Sequence, residues 1–113
     1  MPISAKGKEY NINGKSVMLY PISVLAKELS EALGDTRTTQ TIRKWENNKI
    51  IPPAIFRVGD KRLYSQEQID TICRVAKECE IKQGYALVFT NFSTRVWEEL
   101  RIVNKQYKEK GSK

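Results

Sequence analysis

The sequence contains no histidine and only two cysteines among its 113 residues. Without histidine, the chain lacks the usual acid–base side chain at neutral pH and the commonest metal ligand. Two cysteines are too few for a disulfide scaffold or for a four-ligand zinc site. A phosphate-binding glycine loop and an evident pair of catalytic carboxylates are also missing. We therefore expect no enzymatic activity, no metal and no cofactor.

Long apolar runs are absent as well. No stretch approaches the roughly 20 apolar residues that span a bilayer, and no signal-peptide pattern opens the chain. These absences predict a cytoplasmic protein with no membrane partner. The length suits one small domain with a modest core.

Positive charge is plentiful and unevenly distributed. The net charge of the chain is +7, and residues 36–64 alone carry +5, because seven basic residues there face only two acidic ones. Such a concentration is typical of a phosphate-binding face, with a solvated charged surface as the alternative. The seven basic residues are Arg37, Arg43, Lys44, Lys49, Arg57, Lys61 and Arg62.

A short helix is predicted at residues 38–48. Thr38 is a suitable N-cap, and Ile42 and Trp45, three residues apart, are expected to point inward. Trp45 is interpreted as a core anchor, with base stacking as the alternative. Pro52 and Pro53 prevent any continuation of the helix. The side chains left for solvent or a ligand are Thr39, Gln40, Arg43, Lys44 and Asn47.

A basic hairpin, or wing, is predicted to follow at residues 55–64, with its turn at 58–61 and Arg57, Lys61 and Arg62 around the tip. Ser65 and Gln68 then fit a capping box at the start of a helix that ends near residue 84. Cys73 and Cys79 lie about 120° apart around that helix, which is a poor arrangement for a shared metal or a disulfide. We interpret them as core residues, with a redox or metal sensor as the alternative.

The N-terminal part predicts a second hairpin and a helix. Asn13-Gly14 between alternating apolar residues indicates a hairpin within residues 9–20. The apolar spacing of residues 22–33 predicts a helix that ends at Gly34. Residues 1–8 are interpreted as a disordered terminus, or alternatively as an arm that touches the DNA backbone.

The C-terminal part leaves two questions open. The apolar run at 84–89 fits a strand, a turn or a buried loop. Ser93 is then expected to cap a helix, with Phe92 and Trp97 as its hydrophobic staple. The helix carries an apolar stripe that either folds back onto the domain or forms a homodimer seam. That stripe consists of Val96, Leu100, Val103 and Tyr107.

Together these patterns predict a mainly α (α+β) fold: a winged helix-turn-helix with a small β-hairpin wing, an N-terminal β-hairpin extension and a C-terminal helix. The predicted parts are an arm and hairpin at 1–20, the winged helix-turn-helix at 21–83, and the C-terminal helix at 84–113.

Three blocks resemble the MerR family of transcription regulators. The sequence ISVLAK at 22–27 is similar to its first helix, and TIRKWE at 41–46 with IIPP at 50–53 is similar to its second helix and exit. GDKRLYS at 59–65 is similar to its wing and the start of the next helix. The resemblance covers about half the chain, from residue 20 to 79.

The resemblance implies that the 38–48 helix enters the major groove of double-stranded DNA, with Thr38, Thr39, Arg43 and Lys44 nearest the DNA. It also implies that Arg57 and Arg62 hold the flanking backbone and that Tyr64 adds its hydroxyl. Gln40 and Asn47 come from the helical pattern instead. The full candidate set is Arg37, Thr38, Thr39, Gln40, Arg43, Lys44, Asn47, Arg57, Lys61, Arg62 and Tyr64.

The chain departs from the family pattern in three places. The segment between Lys27 and Thr41 is longer than usual, a hairpin precedes the domain, and the long dimerisation helix and effector domain are absent or reduced. Excisionases, partition and chromosome-organising proteins and small phage regulators are similar stand-alone winged helices.

The leading hypothesis is a sequence-specific binder of double-stranded DNA, a bacterial or phage transcription regulator associated with the nucleoid. The alternatives are an architectural DNA binder and a protein-interaction module that docks a partner on residues 85–89 and 96–107.

Overall fold

The computed structural model describes residues 7–12, 14–59, 61–79 and 86–108. The order of elements combines four strands with four helices. They are β1 (Lys8–Ile12), β2 (Lys15–Pro21), α1 (Ile22–Leu33), α2 (Thr39–Asn47), β3 (Phe56–Val58), β4 (Lys61–Ser65), α3 (Gln66–Glu78) and α4 (Ala86–Lys108). The predicted α+β winged helix-turn-helix is confirmed.

The strands form one antiparallel sheet in the order β1-β2-β4-β3. The N-terminal hairpin joins the wing through β2, because Tyr20 pairs with Tyr64 and Leu19 with Ser65 across β2 and β4. The amide of Gly14 donates to Asn11 Oδ1 over 3.0 Å and closes the turn of the hairpin. Both predicted hairpins are confirmed, although Asn13 and Asp60 lie outside the described residues.

Helix α1 ends where the sequence predicts. Gly34 takes the left-handed conformation, with φ of 69°, and its N–H donates to the Ser30 carbonyl over 2.9 Å. Ser30 also organises the long link between the first two helices. Its hydroxyl accepts the Arg37 N–H over 2.7 Å and lies 3.1 Å from the Arg37 carbonyl, which fixes the path of the chain into α2.

Helix α2 is anchored by its inward face. Thr38 Oγ1 accepts the Thr41 N–H over 3.3 Å, which confirms the predicted N-cap. Ile42 and Trp45 are buried in the core, so the predicted inward face is also confirmed. Lys49 adopts a φ of 61° just after the helix and turns the chain toward the two prolines.

Helix α3 begins with the predicted capping box, in which Ser65 Oγ accepts the Gln68 N–H and Gln68 Oε1 accepts the Ser65 N–H. The Gln68 side chain reaches further and donates to Asn104 Oδ1 over 2.8 Å. Because both side chains are buried, this bond satisfies two polar groups and ties α3 to α4.

The start of α4 differs from the prediction. The helix begins at Ala86, so neither a strand nor a loop occupies 86–89, and Ser93 lies inside the helix instead of capping it. The predicted Phe92–Trp97 staple is also wrong. Phe92 is fully buried against Trp45, with ring centroids 5.2 Å apart, whereas Trp97 stays 39% exposed. Burial of an aromatic ring outweighs the local preference of a serine for a cap.

The C-terminal stripe folds back onto the domain. Val96 and Leu100 are buried in the core, and Val103 packs against it. Tyr107 donates its hydroxyl to Ser65 Oγ over 2.8 Å, and its ring meets Phe56 edge-on at 5.1 Å. These contacts use the stripe within one chain. Within one chain, Val96, Leu100, Val103 and Tyr107 thus follow the fold-back alternative, and a homodimer through this helix stays a prediction.

Leu100→Ala tests whether α4 belongs to the core. Removing a buried leucine side chain leaves a cavity, so we expect the free energy of unfolding to fall by about 2–5 kcal/mol. Ile102→Ala is the matched control, because Ile102 is 69% exposed on the same helix. Urea denaturation should show a change of no more than about 0.5 kcal/mol for the control. Equal effects of the two variants would contradict the packing of α4.

Cys73 is expected to react slowly. It packs against the core, and burial, followed by the carboxylates of Glu28 and Asp70, raises the pKa of its thiol to about 12. Since the thiolate is the reactive form, a Cys79→Ser variant should react with a disulfide reagent at pH 8 at least about tenfold more slowly than free cysteine. A rate equal to that of free cysteine would support the sensor alternative.

Candidate nucleic-acid interface

The outward face of α2 presents four polar side chains. Gln40, Arg43, Lys44 and Asn47 follow the spacing i, i+3, i+4 and i+7, and all four are exposed. The opposite face of the helix is fixed to the core by Ile42 and Trp45. The sequence pattern therefore places two cations and two amides on one rigid, solvent-facing stripe.

The wing presents further positive charge. In the β3–β4 pair, Arg57 lies opposite Arg62, and Val58 lies opposite Lys61. Gly59 takes a φ of 60° at the turn, a conformation that disfavours residues with a side chain. Lys61 and Arg57 are exposed, so the tip of the hairpin is a small basic surface.

Glu46 joins α2 to the wing. Its carboxylate is buried, yet it accepts the Ala54 N–H over 2.7 Å and pairs with Arg57 over 3.2 Å and with Arg62. These partners lie in the loop after α2 and in both wing strands. One side chain thus fixes the distance and angle between the outward face of α2 and the wing.

The two arginines of this cluster differ in their exposure. The side chain of Arg57 is 46% exposed, so it can pair with Glu46 and still meet a ligand. The side chain of Arg62 is only 17% exposed and is directed to Glu46. Arg62 therefore holds the wing in place more than it presents charge at the surface.

The sequence reasoning missed Glu46 and counted it only as a negative charge. A usable signal was present, because position 46 lies four residues after Ile42 and next to Trp45, on the inward side of the helix. A charged residue on a buried face needs a partner, and arginines 57 and 62 were the nearest candidates.

The structure buries Tyr64, whose hydroxyl the family resemblance assigns to the DNA contact. Its hydroxyl has no hydrogen-bond partner among the residues that the structure describes. Burial, followed by the Glu46 charge, raises the pKa of this phenol well above its usual value, against the opposing effect of Arg62, Arg57 and Arg43. The hydroxyl is therefore protonated, and it is a hydrogen-bond donor at any physiological pH.

The residues at the start of α2 are engaged in structure. The Arg37 guanidinium bonds Asp35 Oδ2 over 2.9 Å and is mostly buried in the turn between the helices. Thr38 caps the helix, and Thr39 is half-buried. The structure thus gathers the four α2 side chains, Arg57 and Lys61 on the accessible surface, and it places Arg37, Arg62 and Tyr64 further inside.

The described ranges contain neither a cluster of metal ligands nor a membrane span. Among these residues, no group of three or more histidine, cysteine, aspartate or glutamate side chains could hold a metal ion. No helix in the described part of the chain is long and apolar enough to cross a membrane.

Comparison with known protein families gives one match. The family of MerR HTH regulatory proteins matches residues 20–80, which is more than half of the chain. The matched segment runs from the end of β2 through α3 and includes Glu46 and the wing. Comparisons with curated proteins and with solved structures gave no match.

Glu46→Gln tests the link between α2 and the wing. The amide keeps an acceptor for Ala54, but it removes the charge that both arginines face. We expect the free energy of unfolding to fall by about 1–3 kcal/mol. Glu31→Gln on the exposed side of α1 is the matched control and should change it by less than about 0.5 kcal/mol. Chemical denaturation that gives the same stability for both variants would exclude a structural role for Glu46.

Proposed function

Because this chain belongs to the MerR HTH family of DNA-binding transcription regulators, we propose that it binds double-stranded DNA in a sequence-specific manner as a bacterial or phage regulator acting on the nucleoid. Members of this family act by binding DNA and not as enzymes. The observation that carries the proposal is the exposed stripe of α2, which Glu46 holds in a fixed relation to the basic wing.

In the proposed complex, α2 lies in the major groove. Arg43 can form two hydrogen bonds with the O6 and N7 of guanine, and Gln40 and Asn47 can pair in the same way with adenine. Lys44 supplies a positive charge to a nearby phosphate. The amino end of α2, with Thr38 and Thr39, is suited to a phosphate because free backbone N–H groups point outward there.

The wing is proposed to contact the flanking backbone. Lys61 and Arg57 are the accessible cations of the hairpin, and phosphate contacts of this kind fix register without reading sequence. Tyr64, whose buried hydroxyl has no hydrogen-bond partner among the described residues, is proposed to support the wing from the core. Arg62 and Arg37 contribute by holding the wing and the turn between the helices.

One observation favours a second candidate, an architectural DNA binder. Because α4 folds back onto its own domain, the residues described here supply no long helix to pair two chains. Single units of this kind can assemble side by side on DNA without a dimer axis. Excisionases, partition proteins and chromosome-organising proteins would use such an arrangement.

The direct test is selection from a pool of random duplexes, followed by sequencing, at two salt concentrations. One enriched half-site supports a sequence-specific monomer, and a palindrome with half-sites about one helical turn apart supports a dimer formed on DNA. Strongly salt-dependent binding without enrichment of any sequence would support the architectural role instead. Absence of binding at both salts would refute the proposal.

Arg43→Ala and Lys61→Ala should have different effects. Loss of the base contact of Arg43 should weaken binding to the selected site by about 1–3 kcal/mol and leave binding to random duplex nearly unchanged. Loss of Lys61 should weaken both to the same degree and reduce the dependence of affinity on salt. Fluorescence anisotropy measures all four affinities. If Arg43→Ala loses the same affinity for the selected and the random duplex, Arg43 does not read a base.

A further inference from the structure

A groove of about 510 Å³ lies between α4 and the loop that leaves α2. Pro52, Pro53 and Ile55 line one side, and Trp97 lines the other. The lining includes neither the exposed α2 stripe nor the wing tip, so the groove is separate from the proposed DNA surface. Its size lies within the roughly 300–1,000 Å³ that binding pockets typically offer.

Trp97 is held at the edge of this groove by a specific contact. Its indole Nε1 donates to the carbonyl of Lys49 over 2.9 Å. The ring is therefore fixed in place, yet it remains 39% exposed. A fixed and partly exposed tryptophan beside apolar neighbours is the kind of residue that dominates the energy of protein interfaces.

The rim of the groove is positively charged. Arg101 and Lys105 are exposed and lie one turn apart on α4, in line with Trp97. Among the described residues, the lining contains no carboxylate. Its remaining polar side chain, Asn104, is buried and bonded to Gln68. An apolar floor thus meets a rim of two cations.

We propose that this groove docks an acidic amphipathic helix of a partner protein. Apolar side chains of such a helix would fill the space between Trp97 and Pro52, and carboxylates one turn apart would pair with Arg101 and Lys105. This proposal does not depend on DNA binding, since it uses different residues.

Charge excludes the other occupants on physical grounds. A second copy would bring Arg101 and Lys105 against a chain whose net charge is +7. Residues 1–8 and residues 108–113 each carry a net positive side-chain charge, so neither segment is complementary to the rim. DNA would satisfy the two cations but would leave the proline and isoleucine wall without a partner.

The test is selection of random 15-residue peptides displayed against the full chain in the absence of DNA. Enrichment of peptides that combine Asp or Glu with Leu, Phe or Trp at helical spacing is expected. Anisotropy with an enriched peptide should show at least tenfold weaker binding to Arg101→Glu/Lys105→Glu. The matched control is Lys27→Glu/Lys77→Glu, which reverses two exposed charges on α1 and α3 and should change binding by less than twofold.

Tryptophan emission gives an independent measurement on the unaltered chain. The enriched peptide should shift the emission to the blue, whereas the same peptide with Lys in place of each Asp or Glu should not. The Trp97→Phe variant should lose the shift, because the other tryptophan, Trp45, is already buried.

Several outcomes would overturn the proposal. One is the absence of enriched peptides. The others are an equal loss of peptide affinity in both double variants, and an unchanged peptide affinity when the charges of Arg101 and Lys105 are reversed. If the chain self-associates and the Arg101→Glu/Lys105→Glu variant does not, the occupant of the groove is a second copy of the chain. A tenfold loss of affinity for random duplex in the groove variant, beyond that of its control, would assign the groove to DNA.

Discussion

Glu46 carries its carboxylate into the protein interior, where the Ala54 N–H and the guanidinium groups of Arg57 and Arg62 surround it. A buried charge is stable only when its partners are well placed, so these contacts leave α2 and the wing little freedom relative to each other. DNA recognition by a helix and a hairpin needs such a fixed relation, because the groove and the flanking phosphates have fixed spacings. Burial, followed by the charge of this same carboxylate, raises the pKa of the Tyr64 phenol.

The second constraint is the small size of the domain. A chain of 113 residues buries a limited apolar area, and the winged helix-turn-helix alone is smaller still. Phe92, Val96 and Leu100 of α4 complete the core behind Trp45, and the N-terminal hairpin extends the wing sheet through β2. Helix α4 and β1 lie outside the segment that matches the MerR HTH family, and β2 overlaps that segment only at its last two residues. They pack behind α2 and the wing, and α4 also forms one wall of the groove beside Trp97.

Local signals were enough to predict much of this fold. The N-terminal hairpin, the Gly34 cap, the Thr38 N-cap and the Ser65 capping box each depend on a few neighbouring residues, and each is present in the structure. The errors concern contacts between distant segments. Phe92 meets Trp45, and Trp97 meets Lys49, so neither position could be inferred from the four-residue window that suggested a cap at Ser93.

In the candidate site, too, local patterns predicted some features, and contacts between distant segments determined the others. The exposed stripe of α2 followed from helical spacing, and the wing tip followed from its turn residues. The buried positions of Tyr64 and Arg62 did not, because they depend on the pairing of β4 with both neighbouring strands and on the carboxylate of Glu46. Sequence pattern indicates which residues carry charge, whereas tertiary packing decides which of those charges remain accessible.

The most direct test of the central claim is a map of backbone amide chemical shifts as the selected duplex is added to isotope-labelled protein. We expect the largest changes along the outward face of α2, from Gln40 to Asn47, and at Gly59 and Lys61 of the wing. We expect small changes at Arg101 and Lys105. Largest changes on α4 or on the N-terminal hairpin, with α2 unaffected, would contradict it.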